Sequence, residues 1–428
     1  MTGRAARRPR AAIVVTGSEL VRGDRTDLNG PFYAREALSL GLEPAAVTIV
    51  GDAPADLRAA LEAGLAFDVL LVSGGLGPTH DDRTVELVAA VTGRELVLDE
   101  ALAREIGDVS RSFAKRMRRP YADFEPGVRK QATLPAGAIC LGLAGTAPGL
   151  VVDAGSCVVV VLPGPPGELA RLWPRALDTE PVRRVLARTQ VLERQVLRLF
   201  GVSESAVAKA LADAGGDGDG VELTICARDF EIHVDVLVEP GAGPRARDLV
   251  ARLRAPLEQY VFSEEQRSIQ EIVLELCRAR RLSLATAESC TGGMVAARLT
   301  DVPGASDVFR GGVVAYANDV KERELGVPAA LLATHGAVSA EAAAAMAAGV
   351  RASLGADVGI AVTGVAGPGG GTPEKPVGLV FFHVTGPDGE ETSRFELPGE
   401  REWIRSRSTV AALHLTRRLL TRNRHEPV

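Results

Sequence analysis

A chain of 428 residues is too long for one ordinary core, since domains usually hold roughly 100–200 residues, so two or three domains are expected. With 46% hydrophobic and 24% charged residues, and no window near the roughly 18 uninterrupted apolar residues of a spanning helix, the composition reads as a cytoplasmic protein with no membrane contact. A net charge of −6 and only 4% aromatics give neither the basic field nor the stacking rings used on nucleic acid, so a small anionic ligand is expected instead.

The basic start, Met1 to Arg10, reads as frayed, and the apolar run behind it is too short for a signal peptide. The first 175 residues alternate β-rich apolar runs with amphipathic helices, the pattern of a parallel sheet covered on both faces. Strands are predicted over 11–16, 47–50 and 69–73, and helices over 31–40 and 54–66, the latter opened near Asp52 and Pro54. The third strand runs into Gly74-Gly75-Leu76-Gly77-Pro78-Thr79-His80-Asp81-Asp82, ahead of a helix over 85–91. Gly74, Gly75, Gly77 and Thr79 would let a nucleotide phosphate approach the backbone, and Asp81 and Asp82 could hold a divalent metal bridging it. A tight turn with an aspartate capping the helix is the other reading of these residues. The run Arg111, Lys115, Arg116, Arg118 and Arg119 either steers anions or is a solvated helix face.

From about Pro181 the pattern becomes strand, helix, strand, strand, helix, broken by a Gly/Asp-rich loop at 215–220, which suggests a small α+β module. Its glycine turn is flanked by Asp213, Asp217 and Asp219 rather than by the basic residues of an RNA-binding G-x-x-G loop. A packing or dimerisation role is expected.

After a boundary near Ser263 to Gln266 the α/β alternation resumes, with helices predicted over 269–281, 294–300, 320–325 and 340–354, the last capped by Ser339. Strands are predicted over 282–286, 313–316, 357–363 and 378–385, Pro387-Asp388-Gly389 reads as a hairpin turn, and a loose tail starts at about Thr421. Five cysteines with no C-x-x-C pair argue against a zinc site and a disulfide framework. Four of them are expected as small buried hydrophobes.

Ala287-Glu288-Ser289-Cys290-Thr291-Gly292-Gly293 sits where strand gives way to helix. There the first N–H groups of a helix are unpaired and point beyond the strand end. Ser289 could attack a substrate while amides at Thr291, Gly292 and Gly293 hold an oxyanion or phosphate; equally, Ser289 or Thr291 could simply cap the helix. His335, His383 and His414 fall in a loop, a strand and a helix with nothing tying them to Ser289. The other base of acyl-transfer enzymes is a lysine of lowered pKa, and Lys321, near a second strand end, is the candidate, although a helical lysine is usually a surface residue. The glycine-dense loop 364–371 could offer amides at Gly364, Val365, Ala366 and Gly367 as an anion nest, or be a long turn.

These segments, with Tyr316-Ala317-Asn318-Asp319-Val320-Lys321, His335-Gly336-Ala337-Val338-Ser339, Thr363-Gly364-Val365-Ala366-Gly367-Pro368 and Glu374-Lys375-Pro376-Val377-Gly378, resemble the C-terminal domain of the CinA family. The resemblance implies a nicotinamide mononucleotide deamidase over 265–428, a Ser/Lys hydrolase needing no cofactor, with Ser289 as nucleophile, Lys321 as general base and Tyr316 as an assisting hydroxyl. Ala317 and Asp319, where the family often has Ser and Glu, leave that spacing intact. The Gly74 loop, with Thr16-Gly17-Ser18-Glu19-Leu20, Asp27-Leu28-Asn29, Arg129-Lys130-Gln131, Gly145-Thr146-Ala147-Pro148-Gly149 and Leu162-Pro163-Gly164-Pro165-Pro166, is similar to the family's N-terminal domain, of the molybdopterin-binding fold group. That implies a three-layer domain over 1–175 acting as a metal-dependent ADP-ribose pyrophosphatase, with Glu19 and Asp27 joining Asp81 and Asp82 as candidate metal ligands. Residues 176–264 are similar to the family's KH-like segment. The family's Asp-Thr-Asn is Asp27-Leu28-Asn29 here, and an Asn-Asn pair is replaced by Gly127-Val128, so nucleotide binding is expected to outlast turnover. The expected protein is thus a two-site enzyme of nicotinamide mononucleotide and ADP-ribose, forming a homodimer. The rival is a non-catalytic nucleotide- or pterin-binding scaffold in competence or recombination.

Overall fold

The structure is a computed structural model and describes residues 7–422. Residues 1–6 of the expected frayed start and 423–428 of the expected tail lie outside the described residues, and the last helix runs through Thr421. The chain divides into two compact units at Glu193/Arg194.

In the first unit, strands β1 (Arg10–Thr16), β2 (Glu43–Val50) and β3 (Val69–Ser73) are joined through a short β4–β5 ribbon (Leu96–Leu98, Thr133–Pro135) to β6 (Ile139–Leu143), β7 (Pro148–Asp153) and β8 (Val158–Leu162). The sheet order is β2-β1-β3-β8-β7-β6. β2, β1, β3 and β8 are parallel, but β7 and β6 are antiparallel, so the wholly parallel sheet expected from the apolar runs is corrected to a mixed one. The hairpin escaped the sequence reading because Gly142 and Gly145 interrupt its hydrophobic pattern. β3 and β8 are buried along their whole length because successive side chains face opposite sides and both sides are covered. Leu70, Val72, Val159 and Val161 pack with Leu57, Leu61, Val88 and Ile106. Leu71, Val158, Val160 and Leu162 pack on the other face with Tyr33, Leu169 and Trp173.

The second unit opens with a four-stranded sheet in the order β10-β11-β9-β12, built from β9 (Glu193–Leu199), β10 (Val221–Arg228), β11 (Glu231–Val238) and β12 (Val261–Ser263) and backed by helices Glu204–Ala214 and Gly243–Arg254. A five-stranded sheet follows, in the order β14-β13-β15-β16-β17, from β13 (Leu284–Glu288), β14 (Phe309–Val314), β15 (Val358–Gly364), β16 (Leu379–Gly386) and β17 (Gly389–Glu396). β14, β13 and β15 run parallel. Helices Ile269–Ala279, Met294–Thr300 and Arg401–Thr421 cover one face, and Asn318–Leu325 and Ala340–Leu354 the other. β13 thus has neighbours added on opposite sides by successive crossovers, and the carboxyl end of such a strand is where open α/β sheets form ligand crevices. Ser289 is the residue after it.

Three cysteines, Cys157, Cys277 and Cys290, are buried; Cys140 is half-buried and Cys226 exposed, one fewer buried thiol than expected. His335 ends the helix Ala329–His335 instead of lying in a loop. No helix among the described residues is long and apolar enough to cross a membrane.

Candidate active site

β13 ends two residues later than its apolar run suggests because the polar Glu288 is itself buried strand. Its carboxylate bends forward over the turn and accepts from the N–H groups of Gly293 (3.0 Å), Val295 (3.0 Å) and Ala296 (2.8 Å). The helix start expected to offer unpaired amides is therefore already filled, by a charge-assisted cap that favours the helix dipole, and Gly293 has no free N–H for a ligand. Gly292 donates to the Ser289 carbonyl at 3.1 Å, while no backbone carbonyl among the described residues accepts from Cys290 or Thr291. Arg405 holds the other side of the turn, donating to the carbonyls of Cys290 (3.1 Å) and Thr291 (2.9 Å). Thr291 is fully buried with its hydroxyl unpartnered, so neither it nor Ser289 caps the helix.

Lys321 enters from the first turn of Asn318–Leu325, which follows β14 after a turn at 315–317. Its side chain is 1% exposed. Nζ lies 2.7 Å from the Ala315 carbonyl, 3.2 Å from the Tyr316 carbonyl and 3.2 Å from Ser289 Oγ. Burial lowers its pKa from the ordinary lysine value, because a desolvated ammonium is disfavoured. The neighbouring Cys290 thiol is pushed the other way, up to about 12, by the same loss of water.

Tyr316 is brought near through its backbone only: its ring is exposed, and its hydroxyl accepts from Arg401 at 2.9 Å. Arg401 also donates to the Gly367 carbonyl at 2.8 Å, tying Tyr316 to the loop after β15. In that loop the Val365 N–H is taken by the Leu379 carbonyl and Ala366 is buried. Gly364 is the last, paired residue of β15 and Gly367 is buried, so the nest expected at 364–367 is not free and only Pro368 to Gly371 is exposed. His383 and His414 contact Thr392 and Glu231, away from Ser289. Sequence reading gave no role to Glu288, Arg401 and Arg405. Glu288 was visible inside the motif; the two arginines, four apart on one helix face, carried no local signal.

In the first unit, Gly74 and Gly75 have φ of +102° and +64°, and a Cβ on Gly75 would overlap the Thr84 hydroxyl, so the turn demands glycine. Gly75, Gly77 and Asp82 line a pocket of about 260 Å³ with Lys130 and Gln131. Thr79 bridges the acids: its N–H donates to Asp82 at 2.9 Å, and its hydroxyl contacts both Asp81 and Asp82. That bond is the main cause holding the Asp81 carboxyl below its usual value. Glu19 and Asp27 line a different depression with Asn29, Ser73 and Gly164, where Asp27 accepts from the N–H groups of Asn29 (2.8 Å) and Gly30 (3.1 Å). The four carboxylates are thus not brought together. Among the described residues no group of three or more His, Cys, Asp or Glu side chains is arranged to hold a metal, so the residues present do not by themselves fit a divalent ion.

The two halves define a class of protein: residues 12–180 match the probable molybdopterin binding domain and residues 266–420 the CinA C-terminal domain. A CinA-like protein of Mycobacterium avium is 46% identical over 96% of this chain and 98% of its own, and one of Mycobacterium tuberculosis is 46% identical over 96% and 97%. A crystal structure of the competence/damage inducible protein CihA of Agrobacterium tumefaciens is 38% identical, covering 37% of this chain and 99% of its own with a TM-score of 0.35. The chain belongs to the CinA family.

Proposed function

We propose that the second unit hydrolyses the carboxamide of nicotinamide mononucleotide, releasing nicotinate mononucleotide and ammonia, with Ser289 as nucleophile and Lys321 as general base. The observation that carries this is the three-way environment of Lys321 Nζ. A neutral amine has two hydrogens and one lone pair. Two carbonyls, of Ala315 and Tyr316, accept the hydrogens, which leaves the lone pair for the Ser289 hydroxyl. Ser289 Oγ attacks the carboxamide carbon as its proton passes to Nζ. Nζ then gives that proton to the departing nitrogen, the C–N bond breaks and ammonia leaves. Water attacks the resulting ester as one of its protons passes to Nζ, Nζ gives that proton to Ser289 Oγ as the C–O bond breaks, and the acid product departs. The N–H groups of Cys290 and Thr291 give no bond to a backbone carbonyl, only to the Cys290 sulfur, a weak acceptor; in this reading they turn to the oxyanion, and the route uses neither metal nor redox cofactor. Tyr316, tied by Arg401 to Gly367, serves in this reading to orient the substrate, whose phosphate takes the exposed part of the loop, Pro368 to Gly371.

For the first unit the reading is binding of ADP-ribose or AMP at Gly74–Gly77 without rapid cleavage, because a divalent ion would need Asp81 and Asp82 to leave Thr79. The middle module, KH-like by the family resemblance, serves in this reading for packing or dimerisation.

The test is ammonia release from nicotinamide mononucleotide by the full chain without added metal. Ser289→Ala is expected to lower turnover by at least about a thousandfold, the scale of a lost nucleophile; retained turnover would overturn the assignment. Calorimetric titration with ADP-ribose should show binding with hydrolysis slow or absent.

A further inference from the structure

A pocket of about 510 Å³ lies between the middle module and the last helix, at some remove in sequence from Ser289. Its walls are the loop 201–204, the hairpin 227–232, and Trp403, Ser406 and Arg407. The first two walls fall outside both matched domains, so neither domain's chemistry accounts for them.

The pocket is built at a cost in stability. Its hairpin turn holds Asp229 at φ +52° and Phe230 at φ +68°, a left-handed pair that favours Asn-Gly and strains a bulky residue. Strain of this kind persists where the surroundings enforce it and clusters at ligand clamps. Here it sets the Phe230 ring, 40% exposed, opposite Trp403, 59% exposed, with the Arg407 guanidinium 5.8 Å and 5.7 Å from the two ring centroids. Among the described residues Arg407 enters no ion pair, and neither does Glu204 on the facing wall. By contrast Asp229 pairs with Arg298, and Glu231 is engaged by hydrogen bonds with two histidines. Arg407 also donates to the Pro398 carbonyl, so the pocket offers an aromatic shelf, one cation without a carboxylate partner and one free carboxylate.

We propose that this pocket binds a mononucleotide as an effector: its base stacked on Trp403 and Phe230, its phosphate on Arg407 and a ribose hydroxyl donated to Glu204. The same helix carries Arg401, which holds Tyr316, and Arg405, which holds the carbonyls of the Ser289 turn. Trp403 and Arg407 alternate with these two along its first turns. A ligand that moves this helix moves both supports of the site, so occupancy changes deamidation. That coupling rests on the deamidase reading; the binding does not.

The chain has two tryptophans, and Trp173 is buried in the first unit, so Trp173→Phe leaves Trp403 as the sole reporter. Titrating this full-length variant with AMP should quench its emission saturably. Phe230→Gly, which relieves the strained φ while removing the shelf, and Arg407→Gln should each weaken the AMP affinity about tenfold or more, the scale of one lost base stack. AMP should shift the KM or kcat of ammonia release in the parent and not in these variants. Absence of saturable quenching, or quenching unaltered in both variants, overturns the pocket. Quenching without a kinetic shift in an active enzyme overturns the coupling. A chain that quenches but never releases ammonia refutes the deamidase reading and leaves the pocket standing.

Discussion

An amine held out of water and 3.2 Å from a serine hydroxyl is useful only when it is neutral, and burial favours that form at Lys321. The sign follows: below the lowered pKa, Nζ is protonated and has no lone pair, so kcat for ammonia release should fall on the acid side and rise toward neutral and alkaline pH. Lys321→Arg should be inactive by at least about a hundredfold at every pH, since a guanidinium stays charged and general-base catalysis is worth that much or more. Near-normal turnover in this variant would exclude the Ser-Lys route. Cys290, whose thiol beside a helix start would be the other nucleophile to consider, is 4% exposed with that thiol pushed up to about 12. It carries almost no thiolate at neutral pH, and Cys290→Ala is expected to keep activity of the wild-type order, measured in the same assay.

At the scale of elements, the sequence was most legible where one period ran unbroken. Met294–Thr300, Ala340–Leu354 and Val69–Ser73 have the bounds that pattern and capping predict. It was least legible where tertiary pairing overrode local character: Glu288 is buried strand because a helix start neutralises it, and Arg401 meets Tyr316 across 85 residues of chain. Gly349 separates the two kinds of reasoning. In an alanine-rich helix, propensity alone says that Gly349→Ala gains about 1 kcal/mol. The structure packs this glycine onto the last residue of Asn318–Leu325, where a Cβ would overlap the Leu325 carbonyl. That carbonyl belongs to backbone and cannot swing aside, so the variant should lose about 1–3 kcal/mol in urea unfolding. It should also lose turnover, because the displaced helix carries Lys321. A gain in stability would show that the two helices part freely.

At the scale of the whole second unit, the middle module and the last helix are joined by a buried polar contact. His414, 2% exposed and stacked on Phe200 at 3.9 Å between ring centroids, meets Glu231 of β11 at 2.7 Å, and Glu231 meets His233 at 3.0 Å. Burial pushes His414 down to about 4. Burial would raise the Glu231 carboxyl, but the bonds from His233 and His414 outweigh it and bring it to about 2. A histidine whose folded pKa lies below its unfolded value of 6.5 refuses a proton that the unfolded chain accepts. Its contribution is therefore complete above pH 6.5 and is lost as the pH falls toward 4. Glu231 stays ionised in the folded chain, and its own share of the loss sets in only near its ordinary value of 4.5, so the loss above about pH 5 belongs to the histidine. At 1.36 kcal/mol per pKa unit the ceiling is about 3 kcal/mol. His414→Gln keeps a donor for Glu231 but cannot titrate. Urea midpoints of the full chain should fall between pH 6.5 and 4 more steeply in the parent than in His414→Gln, with the two curves converging toward the acid end apart from a constant packing offset. Parallel curves through this window would mean that His414 takes up its proton in the folded chain as readily as in the unfolded one, and that the contact between module and helix does not depend on keeping it neutral.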